Sequence, residues 1–82
     1  MTIHDNIKKL NKILVQVLKV DEKDISDATS PETVPTWDSY NALMLVSELE
    51  TIFNVHFTMD EVIAVKNVGD IRMALKRHGI EL

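Results

Sequence analysis

Four times along this chain a residue able to cap a helix stands directly before a run with helical spacing. Thr2 precedes Ile3, with Asp5 three residues beyond the cap. Asp38 precedes Ser39. Thr58 precedes Met59, with Glu61 three residues on, and Asn67 precedes Val68, with Asp70 three residues on. A short polar side chain at such a place accepts from the free amides of a first helical turn. An acid three residues later completes, or with Asp imitates, a capping box. Aromatic residues are few (Trp37, Tyr40, Phe53 and Phe57), and so are the turn formers, with two Gly and two Pro. Strand signals are therefore weak, and an all-α fold is expected.

The apolar spacing sets the helix extents. Ile3, Ile7, Leu10, Leu14 and Val17, with Leu18 beside them, form one stripe, so a first helix is predicted from about Ile3 to about Lys19. Val20 to Thr36 has no sustained period and carries Pro31 and Pro35. It reads as a long connection pinned to the core by Ile25, Val34 and Trp37. A second helix runs from Ser39 to about Asn54 and buries Ala42, Leu45, Val46, Leu49, Ile52 and Phe53. Its opposite face carries Tyr40, Met44, Ser47 and Thr51, with Leu43 at the margin. Val55 to Phe57 is a short extended link. A third helix covers Met59 to about Ala64. A fourth buries Val68, Ile71, Ala74, Leu75 and His78, turns Arg72, Lys76 and Arg77 to water, and ends at Gly79 with Ile80 packing back.

The whole makes one domain, residues 1–82, because the chain is too short to bury two cores. An apolar content of 45% suits a folded globule, and the absence of cysteine excludes a disulfide framework or thiolate metal site. The N-terminus mixes His4, Asp5, Lys8 and Lys9 among its apolar residues and is not read as a signal peptide. The longest apolar run, Ala42 to Val46, is too short to span a membrane. The net charge of −4 is unevenly placed. Asp24, Asp27, Glu32, Asp38, Glu48, Glu50, Asp60 and Glu61 lie in a span from Asp24 to Val65 that contains no Lys or Arg. Such a middle repels nucleic acid and favours basic protein partners. A helix-turn-helix reading fails because the central helix offers no cation to a phosphate backbone.

Enzymatic constellations are missing. His4, His56 and His78 fall in different elements with no triad order. Asp21 to Glu32 has the length of a calcium loop, but Lys23 and Ile25 occupy ligand positions and Ser26 replaces the required Gly. What stands out instead is Ser39, a hydroxyl at the mouth of a helix behind a capping acid. The partial positive charge and free amides there suit a phosphate group. Trp37 beside it is expected in the core. The methionines read as gap fillers, apart from Met44, whose phase points outward.

Val34-Pro35-Thr36-Trp37-Asp38-Ser39, followed by a helix ending Glu48-Leu49-Glu50-Thr51-Ile52-Phe53-Asn54-Val55, resembles the acyl carrier protein family. So do Phe57-Thr58-Met59-Asp60-Glu61-Val62 and Asn67-Val68-Gly69-Asp70-Ile71. The resemblance implies a small four-helix bundle with a short third helix and a long loop between helices 1 and 2. It implies that Ser39 carries 4′-phosphopantetheine, transferred from coenzyme A by a phosphopantetheinyl transferase. It also implies a carrier rather than an enzyme, a cytoplasmic monomer that presents acyl thioesters to loading, condensing or acyltransferase enzymes with basic docking patches. Asp38, Tyr40, Met44, Glu48, Glu50, Asp60 and Glu61 are the docking residues expected on that reading. Tyr40 replaces the family's usual Leu, and Asn41 and Met44 stand where acids are common. This less charged face points to a specialised lipid or polyketide-type pathway. An aminoacyl or peptidyl carrier, of a non-ribosomal or D-alanylation system, shares the fold and the serine. An unmodified interaction module on the same fold is a further class.

Overall fold

In the computed structural model, which describes residues 2–82, each capping signal opens a helix. They are α1 (Ile3–Leu18), α2 (Ser39–Phe53), α3 (Met59–Ala64) and α4 (Val68–Arg77), with one 3₁₀ turn at Glu22–Asp24 and no strand among the described residues. The caps act as the side chains dictate. Thr2 accepts from the Asp5 amide, Asp38 from Asn41 and Asn67 from Asp70. Thr58 and Glu61 form the full reciprocal box. The helix ends are equally local. Lys19 and Asn54 take left-handed conformations, with φ of 57° and 54°. Gly79 does so at φ 86°, where its amide bonds to Lys76 and that of Ile80 reaches back to Leu75. That pair of bonds is the Schellman arrangement, in which the left-handed residue is cheapest as glycine.

Leu10, Ile13, Leu14 and Leu18 of α1 meet Leu45, Leu49 and Phe53 of α2 and Val68, Ile71 and Leu75 of α4, with Trp37 closing the cluster. The short helix α3 contributes no fully buried residue. The radius of gyration, 11.6 Å, matches the roughly 11.7 Å expected of a chain this long. No described helix is long and apolar enough to cross a membrane.

Several faces differ from the periodic reading. Ile3 shares the phase of the buried arc of α1 but is 48% exposed, and Ile52 of α2 is 44% exposed. Helical phase fixes the direction of a side chain, not whether a neighbour covers it. Asn6 lies buried on the apolar side of α1, because its amide donates to the Glu81 carbonyl at 2.8 Å. Arg72 does not turn freely to water. Its Nε stands 3.0 Å from Asp27 Oδ1.

That ion pair belongs to a larger seam. Residues 19–38 run between α1 and α2, and part of this segment docks on the start of α4. The amide of Val68 donates to the Thr29 carbonyl at 2.9 Å, and that of Gly69 to the Asp27 carbonyl at 3.0 Å. Two amides that a helix start leaves orphaned are thus satisfied by backbone from elsewhere. Thr29 is itself buried, its hydroxyl accepting from the Ser26 amide at 2.9 Å and donating to the Asp24 carbonyl. A Cβ on Gly69 would lie 3.2 Å from both Asp27 Cβ and Asn67 Oδ1, so those neighbours would have to give by a few tenths of an ångström to admit one. Ile25 and Val34 pack on the core, as their apolar character implies.

Candidate functional site

The site is the beginning of α2 and what surrounds it. Trp37 is buried, which fixes the chain just before the helix. Asp38 follows in extended conformation, and its carboxylate accepts from the Asn41 amide at 2.9 Å. Its carbonyl receives the Ala42 amide at 2.8 Å. The amides of Ser39 and Tyr40 have no partner among the described residues. Ser39, the first residue of the helix, is exposed. An exposed serine beside two unpaired amides at a positively polarised helix end is a fit place for a phosphodiester.

Asn41 and Thr36 lock this corner in a way the sequence reading did not find. The Asn41 side chain donates to the Thr36 carbonyl at 2.6 Å, and the Thr36 hydroxyl donates to the Leu18 carbonyl at the end of α1. The start of α2 is therefore tied to the end of α1 by polar bonds as well as by Trp37. The only sequence signal is a Thr and an Asn flanking a cap, types that readily bond to nearby backbone.

Two surfaces diverge from Ser39. Tyr40 and Met44, with Glu48, line an open groove opposite Gln16 and Val17 of α1 and the Lys19 that caps it. Tyr40 is 69% exposed and Leu43 67%, while Met44, at 37%, leans over the groove. The other flank carries Ser39 and Val46, seven residues apart and so about 10 Å along the axis. Val46 lines an apolar cavity of about 70 Å³ between α2 and α3, together with Trp37, Ala42, Phe57, Val62 and Val65. Ile71 and Ala74 of α4 form its floor.

The acids expected to serve a partner divide into two groups. Glu50 is half-buried, accepts from the Phe57 amide at 2.9 Å and lies 3.5 Å from His56 Nδ1. Glu61 accepts from the Thr58 amide and contacts His78 Nε2 through both oxygens, at 3.1 and 2.9 Å. The Thr58 amide, helped by His78, holds the Glu61 carboxyl below the ordinary carboxylate range, against the burial that pushes it up. Both acids are engaged within the chain. Asp38 serves as a cap but stays exposed, Asp60 is exposed, and Glu48 lies at the groove. Among the described residues no group of His, Asp and Glu is placed to hold a metal ion.

Comparison with the models of known protein families finds no match, and comparison with curated proteins finds none either.

Proposed function

We propose that this chain is an acyl carrier protein, a single carrier domain built as a four-helix bundle. Ser39 bears 4′-phosphopantetheine through a phosphodiester, installed from coenzyme A by a separate phosphopantetheinyl transferase. The group supplies a terminal thiol that holds an acyl chain as a thioester. The chain's own work is to present and position. Asp38 caps the helix so that the hydroxyl stays outward, and the amides of Ser39 and Tyr40 offset phosphate charge. Tethering then raises the local concentration of the acyl group at each docked enzyme. The domain acts as a cytoplasmic monomer and catalyses nothing itself.

The observation that carries this reading is the exposed Ser39 at the tip of α2, one residue after the Asp38 cap and on the same helix flank as the cavity-lining Val46. The lining favours hydrocarbon cargo over an aminoacyl group. Its one charged member, Glu61, is bonded to His78 and Thr58. Tyr40, Leu43 and Met44 make the partner-facing surface more apolar than charged, which supports a specialised lipid or polyketide-type pathway. Glu48 at the groove and the exposed Asp60 of α3 remain for Lys or Arg on the partner.

Intact-mass measurement after incubation with a transferase and coenzyme A tests the proposal. The wild type gains one phosphopantetheine and Ser39→Ala gains none. An unmodified wild type would favour a plain interaction module, and an adduct on Ser39→Ala would move the site elsewhere. Loading assays with acyl- and aminoacyl-activating enzymes then separate the two cargo classes.

A further inference from the structure

Asn41 makes two bonds that straddle Ser39. Its backbone amide donates to Asp38 Oδ1 at 2.9 Å, and its side-chain Nδ2 donates to the Thr36 carbonyl at 2.6 Å. The second bond closes the stretch from Thr36 to Asn41 into a ring, with Ser39 on it. The Thr36 carbonyl also accepts from the Asp38 amide at 3.0 Å, a tight turn directly before the cap. The ring is fastened to the rest of the fold through the same residue. The Thr36 hydroxyl donates to the carbonyl of Leu18, the last residue of α1, where a helix end leaves carbonyls without a partner. A polar relay therefore runs from the end of α1 through Thr36 and Asn41 to the first turn of α2.

The residue type at position 41 matters. A backbone carbonyl only accepts, so the group facing it must carry hydrogen. The Asn41 amide does, and an ionised carboxylate does not. An acid at this place would oppose the Thr36 oxygen with like charge, turn to solvent and be free to meet a base on a partner. Asn41 does the reverse. It is half-buried and bonded to the chain's own backbone, while Asp38 and Tyr40 on either side of Ser39 are exposed.

We infer that Asn41 is the positioning residue for phosphopantetheine transfer: turned inward onto the Thr36 carbonyl, it holds Ser39 in one geometry, and Thr36 anchors that geometry to the end of α1. The inference rests on the carrier reading. In the transfer, Ser39 Oγ forms a bond to the phosphorus of coenzyme A that bears the pantetheine arm. The bond from that phosphorus to adenosine 3′,5′-bisphosphate breaks, its electron pair leaving on the bisphosphate oxygen, and the serine proton passes to a base of the transferase. Asn41 touches none of these atoms. It removes in advance the freedom that the nucleophile would otherwise lose at the transition state.

The test compares full-length wild type with Asn41→Asp, Asn41→Ala, Thr36→Val and Thr36→Ser. Asn41→Asp keeps the shape and replaces the donor by an acceptor. It should leave the helix about as strong, because the dipole favours the new charge and Asp38 opposes it. Nitrogen relaxation without any transferase gives the first readout. Order parameters at the amides of Asp38, Ser39 and Tyr40 should fall from about 0.85 to about 0.7 or lower in both Asn41 variants, with Leu45 and Leu49 unchanged. Steady-state transfer from coenzyme A gives the second. In both variants kcat should fall at least ~10-fold while KM stays within about threefold. Thr36→Val should shift the same way, and Thr36→Ser, which keeps the hydroxyl, should stay within about twofold of wild type. Unchanged order around Ser39, or an Asn41→Asp kcat within about twofold of wild type, overturns the inference. So does the signature of a docking position, in which kcat is kept while KM falls in Asn41→Asp and rises in Asn41→Ala. Equal loosening at Leu45 and Leu49 marks a general loss of stability and overturns it as well. A wild type that takes up no phosphopantetheine sinks the carrier reading, and the order parameters then still decide whether Asn41 holds this corner.

Discussion

Thr29 offers a measurable test of how the connection between α1 and α2 is held. Its hydroxyl makes two bonds, from the Ser26 amide at 2.9 Å and to the Asp24 carbonyl at 3.3 Å, and the residue is 7% exposed. Thr29→Val keeps the branched shape and removes both. Each net hydrogen bond is worth about 0.5–1.5 kcal/mol, and the second is long, so the loss should be about 1.5 kcal/mol. A domain of this size melts about 4–8 °C lower per kcal/mol, which predicts a fall of about 6–12 °C. Thr29→Ser keeps both bonds and drops one methyl, worth about 0.8 kcal/mol, and should fall between the two. Urea titration with a common m-value gives the free energies directly. Thr29→Val within about 0.5 kcal/mol of wild type, or Thr29→Ser below Thr29→Val, would refute the hydrogen-bond account.

Gly69→Ala should weaken the fold by about 1 kcal/mol in the same titration, because overpacking against Asp27 and Asn67 outweighs alanine's better helix propensity. Both neighbours are themselves hydrogen-bonded and cannot retreat freely. Glu61 has a depressed folded pKa, so its contribution is present above the unfolded value of about 4.3 and is lost as pH falls through the folded one. Amide protection of α3, corrected for intrinsic rates, should therefore drop on acidification from about pH 5 to about pH 3, and Glu61→Gln should show no such step. Tyr40→Ala and Met44→Ala should each reduce turnover by the partner enzymes about fivefold or more, as expected of central apolar contacts. Equal turnover in wild type and variants would remove this patch from the docking surface.

The helix boundaries were legible because caps are local: Thr2, Asp38, Thr58 and Asn67 each act within three residues of themselves. Likewise Gly79 ended α4 with Ile80 folded back, as its sequence context implied. Long-range contacts were not legible. Nothing in the spacing of Asn6 points to Glu81, or of Arg72 to Asp27, since each pair meets only after the whole chain has packed. The same holds for Glu61 and His78, seventeen residues apart. The bond of Glu61 to the Thr58 amide was legible as a capping box, whereas nothing local showed that Glu50 would accept from the Phe57 amide or that the His78 ring would reach Glu61. At the candidate site, the exposure of Ser39 followed from its place at a cap, whereas the cavity on its flank needed α3 and α4 to be in position.

The seam on α4 divides the connection unequally. Its docking residues, Asp27 and Thr29, lie upstream of Pro31, Glu32 and Thr33, which are exposed. A protease cut among those three would part the polypeptide while leaving every backbone bond to Val68 and Gly69 in place. The upstream fragment would still clasp the downstream one at two separated points, along the α1 core and at the head of α4. This chain is therefore suited to being supplied as two pieces that find each other, with the serine on one piece and the clamp for the last helix on the other.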